Sequence, residues 1–468
     1  MEEDIVKKIN LETRPPKNQN VRLYCISMSE VFTISGRKSL KDGLDKIFSN
    51  FNKKNGRTFF GESHESLIER AFSEKISGFT YNVGWIISKK INNVLPNGPK
   101  YNLPNFVDFV KVNIKSDLNS VMQINLHFYI SETFSKKLNT ILYKNYPESG
   151  LDIDKWGHSN IQRTVFSDTL KRRDVKNEIF NLKNELEKFV MKNFPGIFTK
   201  FKMKNRIKTP YLPTIDFYSL NEIKDEQIEQ FQDYFQKYQR FFRVLGISAF
   251  SPYTYRFENY LASVGDYETD FEKTQIKILV SEKKFKNSSM YEDTSGAITD
   301  AFEFYNKIDI LSYLRLAIQL NDEINIHKEK LLGKVQNSIE EIENIYSLIS
   351  NQSYFSKRFM CEFNNFLELK HWSSNFPYFK SPLYGDKNLF ENILNMTKNT
   401  LENVSEKENL LKNYIIDKRN FIHTKTNGNH SLIMLKLTYA LGGLAVVQLI
   451  VMILTNWDII KSIFTNIA

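Results

Sequence analysis

Just after Thr199 the basic residues fall on every second position: Lys200, Lys202, Lys204, Arg206 and Lys208, with Phe201, Met203, Asn205 and Ile207 between them. Read as a strand, this period of two puts five cations on one face and a mostly apolar set on the other. Five aligned cations repel one another, so a structure that holds them together gains from a partner carrying several phosphates, or from lipid headgroups. The segment is therefore a candidate anionic-ligand site for a nucleotide or oligonucleotide, and Lys171, Arg172 and Arg173 are candidate additions to it. The competing reading is an edge strand whose lysines deter aggregation.

Other chemistry-bearing patterns are sparse. No Gly-rich loop ends in Lys-Ser/Thr, no GxGxxG follows a strand pattern, and neither GxSxG nor HExxH occurs, so the expectation is a protein that is not an enzyme and needs no cofactor. Glu62, His64 and Glu65 read as a solvated helix start. Asp152 and Asp154 with His158 have the donor types for a hard or borderline cation, although such a pair more often decorates a loop, so no metal site is assigned. The two cysteines, Cys25 and Cys361, stand far apart without CxxC spacing, which fits a reducing compartment. Cys361 has no neighbouring base and reads as a buried thiol.

The second informative set lies near the C-terminal end. From Leu437 to Leu454 the sequence LTYALGGLAVVQLIVMIL has no charge, and about 18 residues at 1.5 Å each cross most of a hydrocarbon core roughly 30 Å thick. Lys412, Lys418, Arg419, Lys425 and Lys436 precede it and only Lys461 follows, partly offset by Asp458. With an acidic start, Met1-Glu2-Glu3-Asp4, that lacks a secretory pattern, this predicts a single-pass protein of the cell inner membrane with its bulk in the cytosol. Within the span Thr438, Gly442, Ala445, Gln448 and Thr455 recur at spacings of three, four and seven. Small residues permit close helix approach and Gln448 gains from a hydrogen-bonding partner, so this face predicts a homo-oligomer or a pore lining, against the alternative of a monomeric anchor.

Which elements must position these residues follows from periodicity. Val21–Met28 and Thr80–Ser88 have strand composition, and Val110–Ile130 alternates as a hairpin about the turn Ser116–Ser120, with one face expected to be buried. Further strands are expected at Gln275–Ser281 and around Leu311–Leu320. A helical stripe runs through Ile179, Leu182, Leu186 and Phe189 to Pro195-Gly196, and another from Ile228 to Leu245 before Gly246. Leu332, Val335, Ile339, Ile342, Tyr346 and Ile349 keep a three-four coiled-coil alternation. An aromatic elbow, Tyr354–Tyr384, precedes a second long helix carrying Phe390, Leu394, Thr397, Leu401, Val404, Leu411, Ile415 and Ile422.

The fold class expected is α+β: a strand-rich cytosolic N-terminal domain, a long helical coiled-coil-like stalk and one C-terminal transmembrane helix. The expected boundaries are 1–170 for a strand-rich α+β domain, 171–320 for a mixed domain holding the basic strand, 321–430 for the helical stalk pair, 431–456 for the span and 457–468 for a short tail. The net charge of +10 favours anionic partners. In architecture the last third, a paired helical stalk entering a membrane helix, resembles CorA-type channels; it has one span where those have two and lacks a following Gly-Met-Asn, so Mg²⁺ transport does not carry over. The layout also resembles membrane effectors of bacterial antiphage systems. That resemblance implies an oligomeric membrane effector or channel-like protein in which a cytosolic sensor domain controls the span, in antiphage defence. A membrane-tethered scaffold or adaptor is the alternative.

Overall fold

The computed structural model describes residues 2–55, 68–69, 79–91, 98–147, 149–156, 159–220, 237–247, 254–257, 260–264, 274–281, 307–332, 339–368, 380–381 and 385–455. The chain forms two compact units, Met1–Asp322 with Tyr354–Val404, and Glu323–Ser353 with Ser405–Ala468.

The first unit is built on one mixed sheet. Its elements in chain order are α1 (Glu2–Glu12), β1 (Arg22–Thr33), α2 (Arg37–Asn55), β2 (Phe79–Ser88), β3 (Lys100–Tyr101), β4 (Val107–Leu118), β5 (Val121–Ile130), α3 (Glu132–Tyr143), β6 (Ser149–Trp156), β7 (Ser159–Phe166), α4 (Ser167–Asn193), α5 (Ile197–Asn205), β8 (Thr214–Leu220), α6 (Gln239–Val244), β9 (Thr254–Phe257), β10 (Tyr260–Val264) and β11 (Gln275–Ser281). Then come α7 (Ile308–Leu332), α8 (Ile339–Glu368), β12 (Lys380–Ser381), β13 (Gly385–Asn388) and α9 (Leu389–Thr455). Eleven strands pair in the order β13-β12-β9-β10-β11-β8-β1-β5-β4-β2-β3, while β6 and β7 make a separate hairpin. The strands expected near residues 21, 80, 110–130 and 275 are all present as β1, β2, β4 with β5, and β11.

Register explains the sheet's two faces. On one face Ile26, Leu126, Phe128, Val110 and Val112 are buried, and Phe128 meets Phe189 of α4 edge-on at 5.9 Å. On the other face the cross-strand rows are polar: Ser29–Asn125–Asn113–Asn82, and Ser27–His127–Lys111–Trp85 beside it. Here the alternating hairpin departs from expectation, because all ten residues of β5 are buried, not one face of them. The start of α7 reaches this polar face: Gln123 Nε2 donates to the Asp309 carbonyl at 3.3 Å, and Lys115 pairs with the Asp309 carboxylate. Polar residues on a covered face must find partners inside the protein. His127 does so with Ser27 at 2.8 Å and Asn113 at 3.2 Å, and burial pushes its imidazole down to about 3, so the ring is neutral at physiological pH.

Two expectations are corrected here. The strand expected at Leu311–Leu320 is the interior of α7, where every residue from Ile308 to Leu320 is buried. An apolar run covered on all sides has the same pattern in a central strand and in a central helix. Cys361 is exposed on α8 and is not a buried thiol.

The second unit gathers three helical segments, from α7, α8 and α9, where a pair was expected. Ile324, Leu331, Ile342, Ile349, Leu411 and Ile415 are buried in it. Lys418 Nζ donates to the Leu331 carbonyl at 3.1 Å, and Arg419 lies 3.6 Å from Glu343. Of the expected three-four seam, Ile342 and Ile349 are buried, Leu332 and Tyr346 are exposed, and Val335 lies outside the described residues. The aromatic elbow begins as a continuation of α8 to Glu368, while Pro377 and Pro382 lie outside the described residues. The second long helix and the apolar segment are one helix, α9, of 67 residues. Among the described residues α9 is the one helix long and apolar enough to cross a membrane, and its apolar stretch is not buried by the rest of the molecule.

Candidate functional site: a lysine-rimmed pocket

The predicted basic strand is not a strand. Pro195-Gly196 breaks the chain after α4, and the next residues start α5 because a buried acid caps them. Glu30 of β1 accepts from the Phe198 and Thr199 amides, both at 2.9 Å, and from Thr199 Oγ1 at 2.6 Å. A carboxyl at a helix N-terminus satisfies amides that have no partner within the helix. Burial outweighs those bonds in setting its proton affinity and pushes Glu30 up to about 7. Helical geometry then scatters the five cations. Lys200, Lys204, Arg206 and Lys208 are exposed, Arg206 closes the helix in the left-handed region at φ 53°, and Lys202 turns inward to pair with Glu187. Lys171, one of the candidate additions, is also interior, donating to Thr13 Oγ1 at 2.8 Å and the Leu142 carbonyl at 2.9 Å.

Four other lysines converge instead. A pocket of about 530 Å³ is rimmed by Lys46, Lys89, Lys100 and Lys192, which come from four separate parts of the chain. Gly43 brings the first of them into place: a Cβ there would stand 2.1 Å from the Asn193 carbonyl oxygen and 2.7 Å from the Phe194 ring. Only a residue without a side chain lets α2 touch the end of α4 this closely. One turn further along α2, Lys46 and Ile47 line the pocket, as does Lys192 in the last turn of α4. The other side is fixed by the short parallel pairing of β2 with β3. Ile87 N donates to the Pro99 carbonyl at 2.9 Å and Lys89 N to the Tyr101 carbonyl at 3.1 Å, which seats Lys89 and Lys100 on the rim.

The pocket wall is held rigidly. Tyr101 is half-buried, packs edge-on to Phe189 at 6.0 Å and 83°, and donates its hydroxyl to Asn193 Oδ1 at 3.2 Å. Asn193 is itself anchored by donating from Nδ2 to the Phe189 carbonyl at 2.8 Å. Among the described residues the ammonium groups of Lys46, Lys89, Lys100 and Lys192 have neither ion pair nor hydrogen bond, and no carboxylate lines the pocket. Like charges around one concavity repel, and a multiply charged anion relieves that repulsion. Among the described lining residues there is no imidazole, thiol, carboxylate or aliphatic hydroxyl, so they offer charge, an aromatic wall and an amide for binding.

No protein-family model matches this sequence, and no curated protein matches it.

Among the described residues no group of three His, Cys, Asp or Glu side chains could hold a metal ion. Glu62, His64, Glu65 and His158 lie outside the described residues, and Asp152 and Asp154 stand on β6. Two ion-paired clusters elsewhere in the first unit are interior and mutually occupied. Lys183 lies 2.7 Å from Asp216, and Lys115 is shared by Asp117 and Asp309. A buried network runs from the pocket-bearing end of α4: Glu187 Oε1 accepts from the Tyr211 and Leu212 amides at 2.7 and 2.8 Å, and the Arg315 guanidinium of α7 lies 3.6 Å over the Tyr211 ring.

The predicted association residues sit on α9. Thr438 satisfies its hydroxyl within the helix, donating to the Met434 carbonyl at 2.9 Å, and Gly442 has open space around it. At 100° per residue Thr438, Gly442 and Ala445 fall within about 60° of one another and Gln448 about 60° beyond Ala445, all exposed. Thr455 is the last residue of the helix.

Because Gly43 sets the pocket's geometry, Gly43→Ala is expected to lower stability by about 1–3 kcal/mol through overpacking and to weaken polyanion binding at the same time. Urea unfolding and ligand titration of the same preparation check both effects. Stability loss with unchanged binding would show that the α2–α4 approach does not position Lys46.

Proposed function

We propose that this protein is an oligomeric membrane effector or channel-like protein in which a cytosolic domain senses a small polyanion and controls a single membrane-spanning helix. The observation that carries the reading is the lysine-rimmed pocket: four cations around about 530 Å³, with no counter-charge among the described residues. Its volume falls in the range of small-molecule sites. The polyanion is a nucleotide or an oligonucleotide. The apolar stretch of α9 supplies the span, and the lysines before it orient the bulk toward the cytosol across the inner membrane.

Control passes along helices. The pocket-bearing end of α4 holds Tyr211 through Glu187, Arg315 packs on Tyr211, and α7 continues from Arg315 to Leu332. A ligand shifts a conformational equilibrium only by its differential affinity for the two states. Drawing Lys46 and Lys192 toward a shared anion favours the state in which the ends of α2 and α4 are pulled together. Antiphage defence is the setting that the architectural resemblance suggests.

Copies associate through the Thr438–Gly442–Ala445 face with Gln448 beside it. Replacing Gly442 and Gln448 with Leu is expected to abolish polyanion-dependent dye release from vesicles carrying the full chain, while polyanion affinity stays within about twofold. Dye release equal to that of the unmodified protein would remove the pore from the account. An adaptor whose span is only an anchor would keep its function when the whole span is exchanged for an unrelated apolar helix.

A further inference from the structure

We propose that the pocket takes a nucleoside triphosphate without magnesium, the phosphates on Lys46, Lys89, Lys100 and Lys192 and the base on Tyr101, and releases it unchanged. This rests on the polyanion-sensing reading above and narrows it to one chemical class.

Charge balance comes first. Four ammonium groups match the three to four negative charges of a triphosphate, and lysine meets phosphate as a compact point charge. Magnesium in nucleotide sites is held by one or two carboxylates together with the phosphates. Among the described residues neither Asp nor Glu lines this pocket, so the lysines there do the neutralising themselves. With neither a carboxylate, an imidazole nor an aliphatic hydroxyl among the described lining residues, the pocket supplies no group of the kind that positions water against a terminal phosphate. The ligand therefore reports its presence by binding.

The aromatic wall separates a nucleotide from a simple polyphosphate. Tyr101 cannot swing freely: Phe189 holds one edge of its ring and Asn193 holds its hydroxyl, yet the ring stays partly open to the pocket. A ring fixed beforehand offers a stacking platform at little entropic cost. Next to it Asn102 is exposed, its amide uncommitted among the described residues, and it supplies both a donor and an acceptor for a base edge. Ile47 and Pro99 complete the apolar part of the lining.

The test is calorimetric titration of the detergent-solubilised full chain with ATP, GTP, CTP and UTP, and with inorganic tripolyphosphate, each in EDTA and in magnesium. At least one nucleotide should bind about tenfold or more tighter than tripolyphosphate, with the affinity kept in EDTA and no phosphate released. Tyr101→Leu should erase that advantage while leaving tripolyphosphate affinity unchanged, which also shows that the variant folds; Tyr101→Phe should retain it. Equal affinity for tripolyphosphate and every nucleotide, with Tyr101→Leu silent, would overturn the base-stacking claim and leave the polyanion reading standing. Affinity that appears only with magnesium, or release of phosphate, would overturn the metal-free, non-hydrolytic claim. Binding of none of the five compounds would overturn the triphosphate inference, and failure of a short single-stranded oligonucleotide to bind as well would overturn the polyanion reading itself.

Discussion

Reversing charge at Lys46 and Lys192 together, as the Lys46→Glu and Lys192→Glu double variant, is expected to weaken polyanion binding by about 30-fold or more. Both side chains are exposed, and neither has a partner among the described residues, so the fold does not depend on them. Each change removes one attraction to the ligand and adds one repulsion, and at exposed sites each such interaction is worth about 0.5–1 kcal/mol. Four of them sum to about 2–4 kcal/mol, where 1.4 kcal/mol is a factor of ten. The unmodified protein should bind more weakly as salt rises, and the double variant should show a shallower salt dependence. The same reversal at Lys204 and Lys208, both exposed on or just after α5, serves as the control. Titration of the three proteins in one buffer decides the matter. If the α5 control loses affinity and the pocket variant does not, the site lies on the segment first singled out from the sequence.

Lys183→Met is expected to cost about 3–5 kcal/mol of stability, because it leaves a buried carboxylate without its cation. Asp216 is fully buried on β8, in the middle of the sheet, with Lys183 Nζ 2.7 Å away. Lys183 also donates to Thr214 Oγ1 at 3.0 Å and Gln275 Oε1 at 3.1 Å, tying α4 to β8 and β11. Adding Asp216→Leu should recover most of the loss, since an apolar pair of similar volume avoids the desolvation that the ion pair must offset. Denaturant unfolding of the single and double variants measures the coupling. A single variant within about 1 kcal/mol of the unmodified protein would mean that Asp216 is satisfied in some other way.

The sheet and the apolar helix were legible because each carries its own period. The alternation in β4 and β5, the β-branched content of β1, β2 and β11, and the uncharged stretch of α9 are local signals that tertiary context did not reverse. Three features were not legible for physical reasons. The alternation of Lys200 to Lys208 has a strand's period, yet Glu30, 168 residues earlier than Phe198, caps the segment as a helix, and no local pattern encodes so distant a carboxylate. The run at Leu311–Leu320 is mostly apolar, with Ser312, Arg315 and Gln319 in it, which suits a buried strand and a buried helix alike, and α7 takes the helical option. The pocket lysines at 46, 89, 100 and 192 meet only through the α2–α4 approach at Gly43 and the β2–β3 pairing. In the sequence they stand 43, 11 and 92 residues apart, and no local pattern joins them.

A polyanion in the lysine pocket, on the reading proposed above, controls the membrane helix. The most direct test of that control is dye release from vesicles reconstituted with the full chain, measured without nucleotide, with ATP and the other three nucleoside triphosphates in turn, and with the Lys46→Glu and Lys192→Glu variant in parallel. The account predicts release that changes at least severalfold with one of these compounds in the unmodified protein and does not change in the variant. Release that is the same with and without every compound, or that responds equally in the variant, would contradict it.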